Sequence, residues 1–165
     1  MSALEDKVAL VTGSSRGIGA ATAKLFAQHG AKVVVHGRDE TALADVQAEI
    51  ARSGGKAMQA VADITKFTEI EAMRGQIEQE FGPIDILVAN AGGSYTMPGP
   101  LEQISEDGWH ASVNGNPTAT FLTIKSILPG MKERKRGNVI TISSSAGRTR
   151  TLRPRSPTLP PKRAS

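Results

Sequence analysis

Short apolar segments alternate with segments of helical periodicity over residues 7–147. The apolar segments are rich in valine, isoleucine and alanine, and glycine or charged residues bound them, which is typical of strands. They predict five strands, at Lys7–Val11, Lys32–His36, Met58–Ala62, Ile84–Ala89 and Asn138–Ile142. Nearly continuous apolar strands of this kind are buried on both faces, as in a parallel sheet.

Between the predicted strands, apolar residues recur every three or four positions, as they do on one face of a helix. One predicted helix follows Asp39, its N-cap residue, ends at Gly54–Gly55, and has the apolar face Leu43, Val46 and Ile50. A second ends before Gly82–Pro83 and has the apolar positions Phe67, Ile70, Met73, Ile77 and Phe81.

A longer helix is predicted from about Ser105 to Arg134. Ser105 is a suitable N-cap, and Glu106 and Asp107 lie in the first turn, where carboxylates interact favourably with the helix dipole. Pro117 lies inside this helix, where a proline costs about 3 kcal/mol or forces a kink.

This alternation of strands and helices predicts an α/β fold in which helices cover both faces of a parallel sheet. Right-handed crossovers favour a doubly wound, Rossmann-like sheet, of which the chain has the first five strands. The domain is predicted to occupy residues 1–147, followed by a basic tail rich in proline and arginine over residues 148–165.

The net charge of +4 comes from the tail. Residues 1–147 contain 14 Lys and Arg and 16 Asp and Glu, and the tail adds six basic residues. The mildly acidic body argues against nucleic-acid binding. The chain has no cysteine, which excludes disulfides and thiolate metal sites and is compatible with a cytoplasmic protein. No metal site is predicted, and no apolar run or leader pattern suggests a membrane.

Residues 12–19, TGSSRGIG, follow the first predicted strand and lead into a helix. The glycines at positions 13, 17 and 19 allow a tight turn whose backbone amides approach a pyrophosphate, and the next helix offers its positive dipole end to that anion. A plain glycine turn is the alternative. A P-loop is excluded, because this turn ends in Gly-Ile-Gly where a P-loop has Gly-Lys-Ser/Thr.

The turn resembles the TGxxxGIG motif of the short-chain dehydrogenase/reductase family, whose members move hydride to or from nicotinamide. Other motifs follow in the family's order over residues 5–147: Asp63-Ile64-Thr65, Asn90-Ala91-Gly92, Ile142-Ser143-Ser144, and Trp109, Asn116 and Phe121 in the long helix. The chain is similar to the NADP-preferring, 3-oxoacyl-reductase-like members.

The resemblance implies a cofactor site along the carboxyl ends of the strands. In the family, the glycine turn binds the pyrophosphate, the Asp63 position hydrogen-bonds the adenine, and the Asn90 motif lines the cleft. The residues implied are Gly13, Ser15, Arg16, Gly17, Ile18, Gly19, Arg38, Asp63, Ile64, Asn90, Ala91 and Gly92. Taken singly, Asp63 could instead cap the next helix and the Asn90 motif could be an ordinary turn.

The second strand ends in His36-Gly37-Arg38, with no acid before Asp39. An acid here would accept from the ribose 2′-hydroxyl of NAD, whereas the 2′-phosphate of NADP needs a basic group. Arg38 offers a planar fork to a phosphate, and Arg16 stands where NADP-dependent family members often have a second basic residue. NADP(H) is the predicted cofactor, and two solvated arginines are the alternative.

In the family, a tyrosine donates the proton, a lysine four residues later lowers its pKa, a serine orients the carbonyl and an asparagine holds a water. The resemblance assigns the serine role to Ser144, with Ser145 as competitor. It assigns the asparagine role to Asn116, with Asn114 as runner-up.

The expected tyrosine and lysine are missing from their places. Pro157 and Pro161 occupy the two positions, and Gly99 lies four residues after the only tyrosine, Tyr95. Tyr95 therefore does not replace the pair, and we expect it to line the substrate cleft or to be a surface aromatic. A chain without this pair is predicted to be inactive or nearly so.

The tail permits an explanation through the genetic code. Read one base earlier, codons that encode residues 157–164 can spell Tyr-Ala-Ala-Ala-Lys-Ala-Gly, the family signature. One hypothesis is a frameshift near Arg148–Arg150, and the other is a genuine basic, disordered tail. Both predict that strands six and seven and the tyrosine helix are absent and that strand five is an exposed edge.

The predicted function is hydride transfer between NADP(H) and a small-molecule carbonyl or alcohol, impaired in this chain. The alternatives are a noncatalytic NADP(H)-binding protein and a nucleic-acid binder that acts through the tail. Family members tend to form homo-oligomers through the long helix and the tyrosine helix, and only the long helix is predicted here.

Overall fold

The computed structural model describes residues 3–97 and 99–144. Five parallel strands form one sheet in the order β3-β2-β1-β4-β5. The strands are β1 (Val8–Val11), β2 (Lys32–Gly37), β3 (Lys56–Val61), β4 (Ile86–Ala89) and β5 (Asn138–Thr141). They confirm the five predicted strands, with ends that differ by one or two residues. The strand order reverses between β1 and β4, where ligands bind in sheets of this topology.

The helices are α1 (Gly17–Gln28), α2 (Glu40–Arg52), α3 (Phe67–Glu80), α4 (Glu106–Val113) and α5 (Ala119–Glu133). Asp39 caps α2 by accepting from the amide of Ala42 at 3.1 Å, and Ser105 caps α4 by accepting from Gly108 at 3.1 Å. Both predicted caps are confirmed. Within the described part of the chain, no helix is long and apolar enough to cross a membrane.

The single long helix predicted over residues 105–134 is interrupted by a π-helical turn. This turn, Asn114–Thr118, joins α4 to α5 and contains Pro117. A proline has no N–H to donate and its ring crowds the preceding turn, and the wider π turn accommodates it without ending the helix. The prediction of one regular helix was therefore wrong at its centre.

Strand side chains alternate between two apolar layers. Val8 and Leu10 of β1 pack toward α3 and α5, together with Ile70 and Ile77. Ala9 and Val11 pack on the opposite face with the residues of α1 and α2. Alternation along a strand sends successive side chains to opposite faces, so both faces of the sheet are covered, as predicted.

β5 is an edge of the described sheet and carries exposed apolar side chains. Val139 is 37% exposed, Ile140 43% and Ile142, just beyond the strand, 44%. The expectation of an exposed fifth strand is confirmed for the part of the chain that the structure covers. An apolar edge of this kind readily pairs with another strand.

Asp85, which is buried just before β4, joins the amino ends of β1, β4 and β5. Its carboxylate accepts from the amide of Val8 at 3.2 Å and pairs with Arg136 at 2.9 Å. We expect Asp85→Ala to lower the free energy of unfolding by about 1–3 kcal/mol, because the Val8 amide loses its acceptor. Asp85→Asn keeps an acceptor oxygen, so urea unfolding should give it a smaller loss. Equal losses for the two variants would contradict the role of the Val8 bond.

Candidate functional site

A cleft of about 690 Å³ opens at the carboxyl ends of β1 to β4. Residues from the four strand ends line one side, and residues of α4, the π turn and the first residue of α5 line the other. Nine of the twelve predicted cofactor residues line it: Gly13, Ser15, Arg16, Arg38, Asp63, Ile64, Asn90, Ala91 and Gly92. The other three, Gly17, Ile18 and Gly19, form the start of α1 next to the cleft.

The glycine turn requires glycine for two different reasons. Gly13 and Gly17 have φ values of +64° and +57°, in the left-handed region that side chains disfavour. A Cβ on Gly19 would collide with the carbonyl of Gly13 and lie 2.6 Å from Nδ2 of Asn90, so this glycine permits the close approach of α1 to the turn and to Asn90. No side chain caps α1 at Arg16, and the first turn of the helix has no acid. The turn therefore presents uncapped helix amides beside the cleft, as an anion-binding turn does.

Thr12 and Asn90 join the ends of β1 and β4. The Thr12 hydroxyl accepts from the amides of Asn90 and Ala91, both at 3.0 Å. Nδ2 of Asn90 donates to the carbonyls of Thr12 and Gly13 at 3.0 and 3.1 Å. These bonds fix the loop after β4 against the glycine turn.

We expect Thr12→Val to destabilise the protein by about 1–3 kcal/mol, because two loop amides lose their acceptor without a change of side-chain size. Thr12→Ser keeps the hydroxyl and is expected to stay within about 1 kcal/mol of wild type. Thermal and urea unfolding of both variants would check this prediction. A serine variant as unstable as the valine variant would count against it.

Ser14 and His36 form a polar cluster under the turn that the sequence reasoning missed. The amide of Ser14 donates to the carbonyl of His36, and the amide of His36 donates to Oγ of Ser14, both at 2.8 Å. The His36 ring contacts Gly13 and Ala62 and is almost fully buried. The sequence does contain an indication of this cluster: His36 interrupts the apolar run VVVHG of a buried strand. A buried histidine needs hydrogen-bond partners, which predicts polar contacts at this position.

Burial is the main cause that lowers the pKa of His36, and the charge of Arg38 lowers it further. The carbonyl of Ala62 and the carboxylate of Asp63 act in the opposite direction. The lowered pKa means that the ring is neutral at and above pH 7.

Arg16 and Arg38 lie at the rim of the cleft, where the glycine turn faces the end of β2. Arg16 pairs with Asp39 at 4.0 Å, and both side chains are largely exposed. The Asp39 carboxylate also caps α2, so its negative charge is shared between a helix and Arg16. This part of the rim therefore has two arginines and one carboxylate, Asp39, which already caps α2 and pairs with Arg16.

Asp63 lies in the loop after β3 and does not cap α3. One carboxylate oxygen accepts from both the amide and the hydroxyl of Thr65, at 3.0 and 2.7 Å. These bonds are the main cause that lowers the pKa of Asp63, and Lys66 at 3.8 Å contributes. The N-cap of α3 is Lys66, so the alternative role considered for Asp63 as a cap is wrong.

Asn116 holds the loop after β4 and is not among the residues that line the cleft. Its Oδ1 accepts from the amide of Gly93 at 2.9 Å, and its Nδ2 donates to the carbonyls of Gly93 and Ser112. Asn114 and Gly115 line the cleft instead. The π turn thus places the two candidate asparagines differently, and the family's asparagine role stays a prediction for either.

Tyr95 lines this cleft and is 42% exposed, and its predicted place in a substrate cleft stays a prediction. Its ring packs on Gly115, where a Cβ would collide with it, and its hydroxyl donates to the Gly115 carbonyl at 3.3 Å. Together with Asn116, this contact ties the loop after β4 to the π turn.

Ser144 lies in the exposed segment after β5 and is not among the residues that line the cleft. The amide of Ile142 donates to the carbonyl of Ala89 at 3.0 Å, so this segment follows the end of β4. Ser145, Pro157, Pro161 and the tail lie outside the described residues. The orienting role of Ser144 stays a prediction.

The family model for short chain dehydrogenases matches residues 7–153. The chain belongs to the short chain dehydrogenase family. It is 40% identical over 144 residues to 3-oxoacyl-[acyl-carrier-protein] reductase FabG of Vibrio cholerae, covering 87% of this chain and 57% of that enzyme. The five-stranded Rossmann-like fold predicted from the sequence is confirmed by the solved structures of this family.

Two of those structures contain nicotinamide cofactors. A metagenomic short-chain oxidoreductase in complex with NADP is 38% identical, with a TM-score of 0.83, over 88% of this chain and 66% of that one. A 7α-hydroxysteroid dehydrogenase complexed with NADH and 7-oxo glycochenodeoxycholic acid is 33% identical, with a TM-score of 0.83, over 88% and 56%. Short chain dehydrogenases related to this chain thus bind either cofactor. The chain spans 56% to 66% of these three proteins.

Proposed function

We propose that the cleft of this short chain dehydrogenase binds NADP(H) and that the family reaction is hydride transfer between this cofactor and a small-molecule carbonyl or alcohol. The observation that carries the choice of cofactor is the pair of arginines, Arg16 and Arg38, at one rim of the cleft. A guanidinium matches the geometry of a 2′-phosphate, and β2 ends without an acid.

The residues of the cleft fit such a dinucleotide. The left-handed glycines let the turn approach a pyrophosphate closely, and Asp63 and Ile64 line the cleft beyond β3, where the family binds adenine. The cofactor supplies the hydride of the reaction. The side chains of the chain bind and orient it.

The 165 residues do not include the tyrosine and lysine, four residues apart, that supply the proton in this family. The chain has one tyrosine, Tyr95, and no lysine four residues after it. General acid catalysis contributes about 10²–10⁴-fold, so we propose that a protein of these residues reduces ketones more slowly than an intact reductase by at least that factor. A noncatalytic NADP(H)-binding protein is the second candidate, and the same observation favours it.

The two candidates are separated by measuring NADPH oxidation with a panel of ketones, 3-oxoacyl thioesters included, after NADPH binding has been established. Binding without turnover supports the noncatalytic protein. Turnover at the rate of a family reductase would contradict the proposal that catalysis is impaired. A cytoplasmic location is part of the proposal and rests on the absence of cysteine.

Sequencing the coding DNA tests the frameshift hypothesis for residues 148–165. The hypothesis expects a shifted frame that encodes Tyr-x-x-x-Lys near codon 157. A shifted frame without this signature would leave the tail as a genuine basic segment.

A further inference from the structure

The ring of His36 satisfies two backbone groups that together define its protonation state. Nδ1 lies 3.3 Å from the amide nitrogen of Gly13, and Nε2 lies 3.1 Å from the carbonyl oxygen of Ala62. An amide only donates and a carbonyl only accepts. Nδ1 must therefore be the bare acceptor and Nε2 the protonated donor, which is the neutral Nε2–H form.

These bonds connect three parts of the cleft. Gly13 is the first glycine of the turn, Ala62 directly precedes Asp63 in the loop after β3, and His36 lies near the end of β2. Ser14, the next residue of the turn, forms two hydrogen bonds with the backbone of His36. The turn is thus attached to β2 at two successive residues, and only the attachment at Gly13 depends on a titratable group.

We propose that His36 is a positioning residue for the cofactor: its neutral ring holds the Gly13 amide in place, so that affinity for NADPH depends on the protonation state of this ring. This inference rests on the proposed NADP(H) binding. His36 is among the residues that line the cleft and is almost fully buried, and we expect its ring to act through the Gly13 amide that it accepts from.

Protonation of the ring breaks this arrangement in a defined way. It places an N–H on Nδ1 opposite the N–H of Gly13, and two donors repel each other. The charged groups that face the ring are Arg38 at the end of β2 and Asp63 after β3, and Arg16 and Asp39 line the same cleft. Because the pKa of His36 is lowered, the arrangement is complete at pH 7 and above and is lost as the pH falls through that pKa.

Two substitutions separate the bond to Gly13 from the bond to Ala62. The Oδ1 of His36→Asn reaches the place of Nδ1 and can accept from Gly13, whereas the Nε2 of His36→Gln reaches the place of the ring Nε2 and can donate to Ala62. We expect the Kd for NADPH at pH 8 to stay within about threefold of wild type in the asparagine variant. We expect it to rise about fivefold to tenfold in the glutamine variant, the value of one hydrogen bond.

The pH profile supplies a second readout. Between pH 8 and pH 5 the 2′-phosphate of NADPH also titrates, with a pKa of about 6 by analogy with other phosphate monoesters, and this contribution is common to all variants. Wild type should lose about fivefold to tenfold more affinity over this range than His36→Asn, which has no titrating ring. Equal losses in the two proteins, or equal affinities of the asparagine and glutamine variants, would overturn the inference.

Nitrogen NMR of the wild-type chain with ¹⁵N-labelled histidine tests the tautomer without any variant. We expect Nδ1 of His36 to be bare and Nε2 protonated at pH 8, with the Gly13 amide resonance shifting as the ring titrates. A proton on Nδ1 at pH 8 would overturn the inference. Absence of NADPH binding by wild type at pH 8 would instead contradict the proposed function, so the two failures are distinguishable.

Discussion

Gly37→Asp is expected to reverse the preference between NADPH and NADH. Gly37 lines the cleft at the end of β2, and a Cβ there would make ordinary contacts of 3.5 Å with Leu43 and Ser15. Its φ is not in the left-handed region, so an aspartate fits without backbone strain. The new carboxylate would repel a 2′-phosphate and accept from a ribose 2′-hydroxyl.

The ratio of the two Kd values should change by about 100-fold or more, since a charged hydrogen bond gained is worth about 1.5–3 kcal/mol and a like-charge contact costs a similar amount or more. Titrations of the same preparation with both cofactors measure it. Gly37→Asn is the matched control, because it has the same shape without the charge and should keep the preference for NADPH. An equal change in both variants would show that side-chain size, not charge, is responsible.

Arg38→Ala is expected to weaken NADPH binding by about tenfold to 100-fold and to leave NADH binding unchanged. The physical reason is the loss of a charge-assisted contact, worth about 1.5–3 kcal/mol, that only the 2′-phosphate receives. Arg16→Ala should have a smaller effect, because Arg16 lies within reach of the Asp39 carboxylate, which competes with a phosphate for its charge.

Two further variants control this experiment. Arg38→Lys keeps the charge but loses the planar fork, and its affinity for NADPH should fall between those of wild type and the alanine variant. Arg52→Ala removes a basic residue in the last turn of α2, remote from the cleft, and should change neither affinity. Parallel losses of NADPH and NADH affinity in Arg38→Ala would contradict a contact to the 2′-phosphate.

Much of the fold was predictable because its signals are local. The strands β1, β2 and β4 are apolar runs buried on both faces, and the caps at Asp39 and Ser105 each depend on an amide three residues away. The glycine turn was predictable for a similar reason: Gly13 and Gly17 occupy left-handed positions that few other residues adopt.

The rest of the site depends on contacts between residues far apart in the chain. The His36 ring contacts Gly13 and Ala62, which are 23 and 26 residues away. The hydrophobic periodicity of the sequence does not indicate such distant partners. Pro117 indicated a disturbance in the long helix but not its form. The π turn determines that Asn114 lines the cleft while Asn116 holds Gly93.

We propose that the cleft binds NADP(H) through Arg38 and the glycine turn. The most direct measurement is a titration of the 165-residue chain with NADPH and with NADH, at pH 8 and one ionic strength, followed by nicotinamide fluorescence or calorimetry. We expect saturable binding of NADPH below millimolar concentration and a Kd for NADH at least about tenfold higher. Tighter binding of NADH, or no binding of NADPH at millimolar concentration, would contradict it.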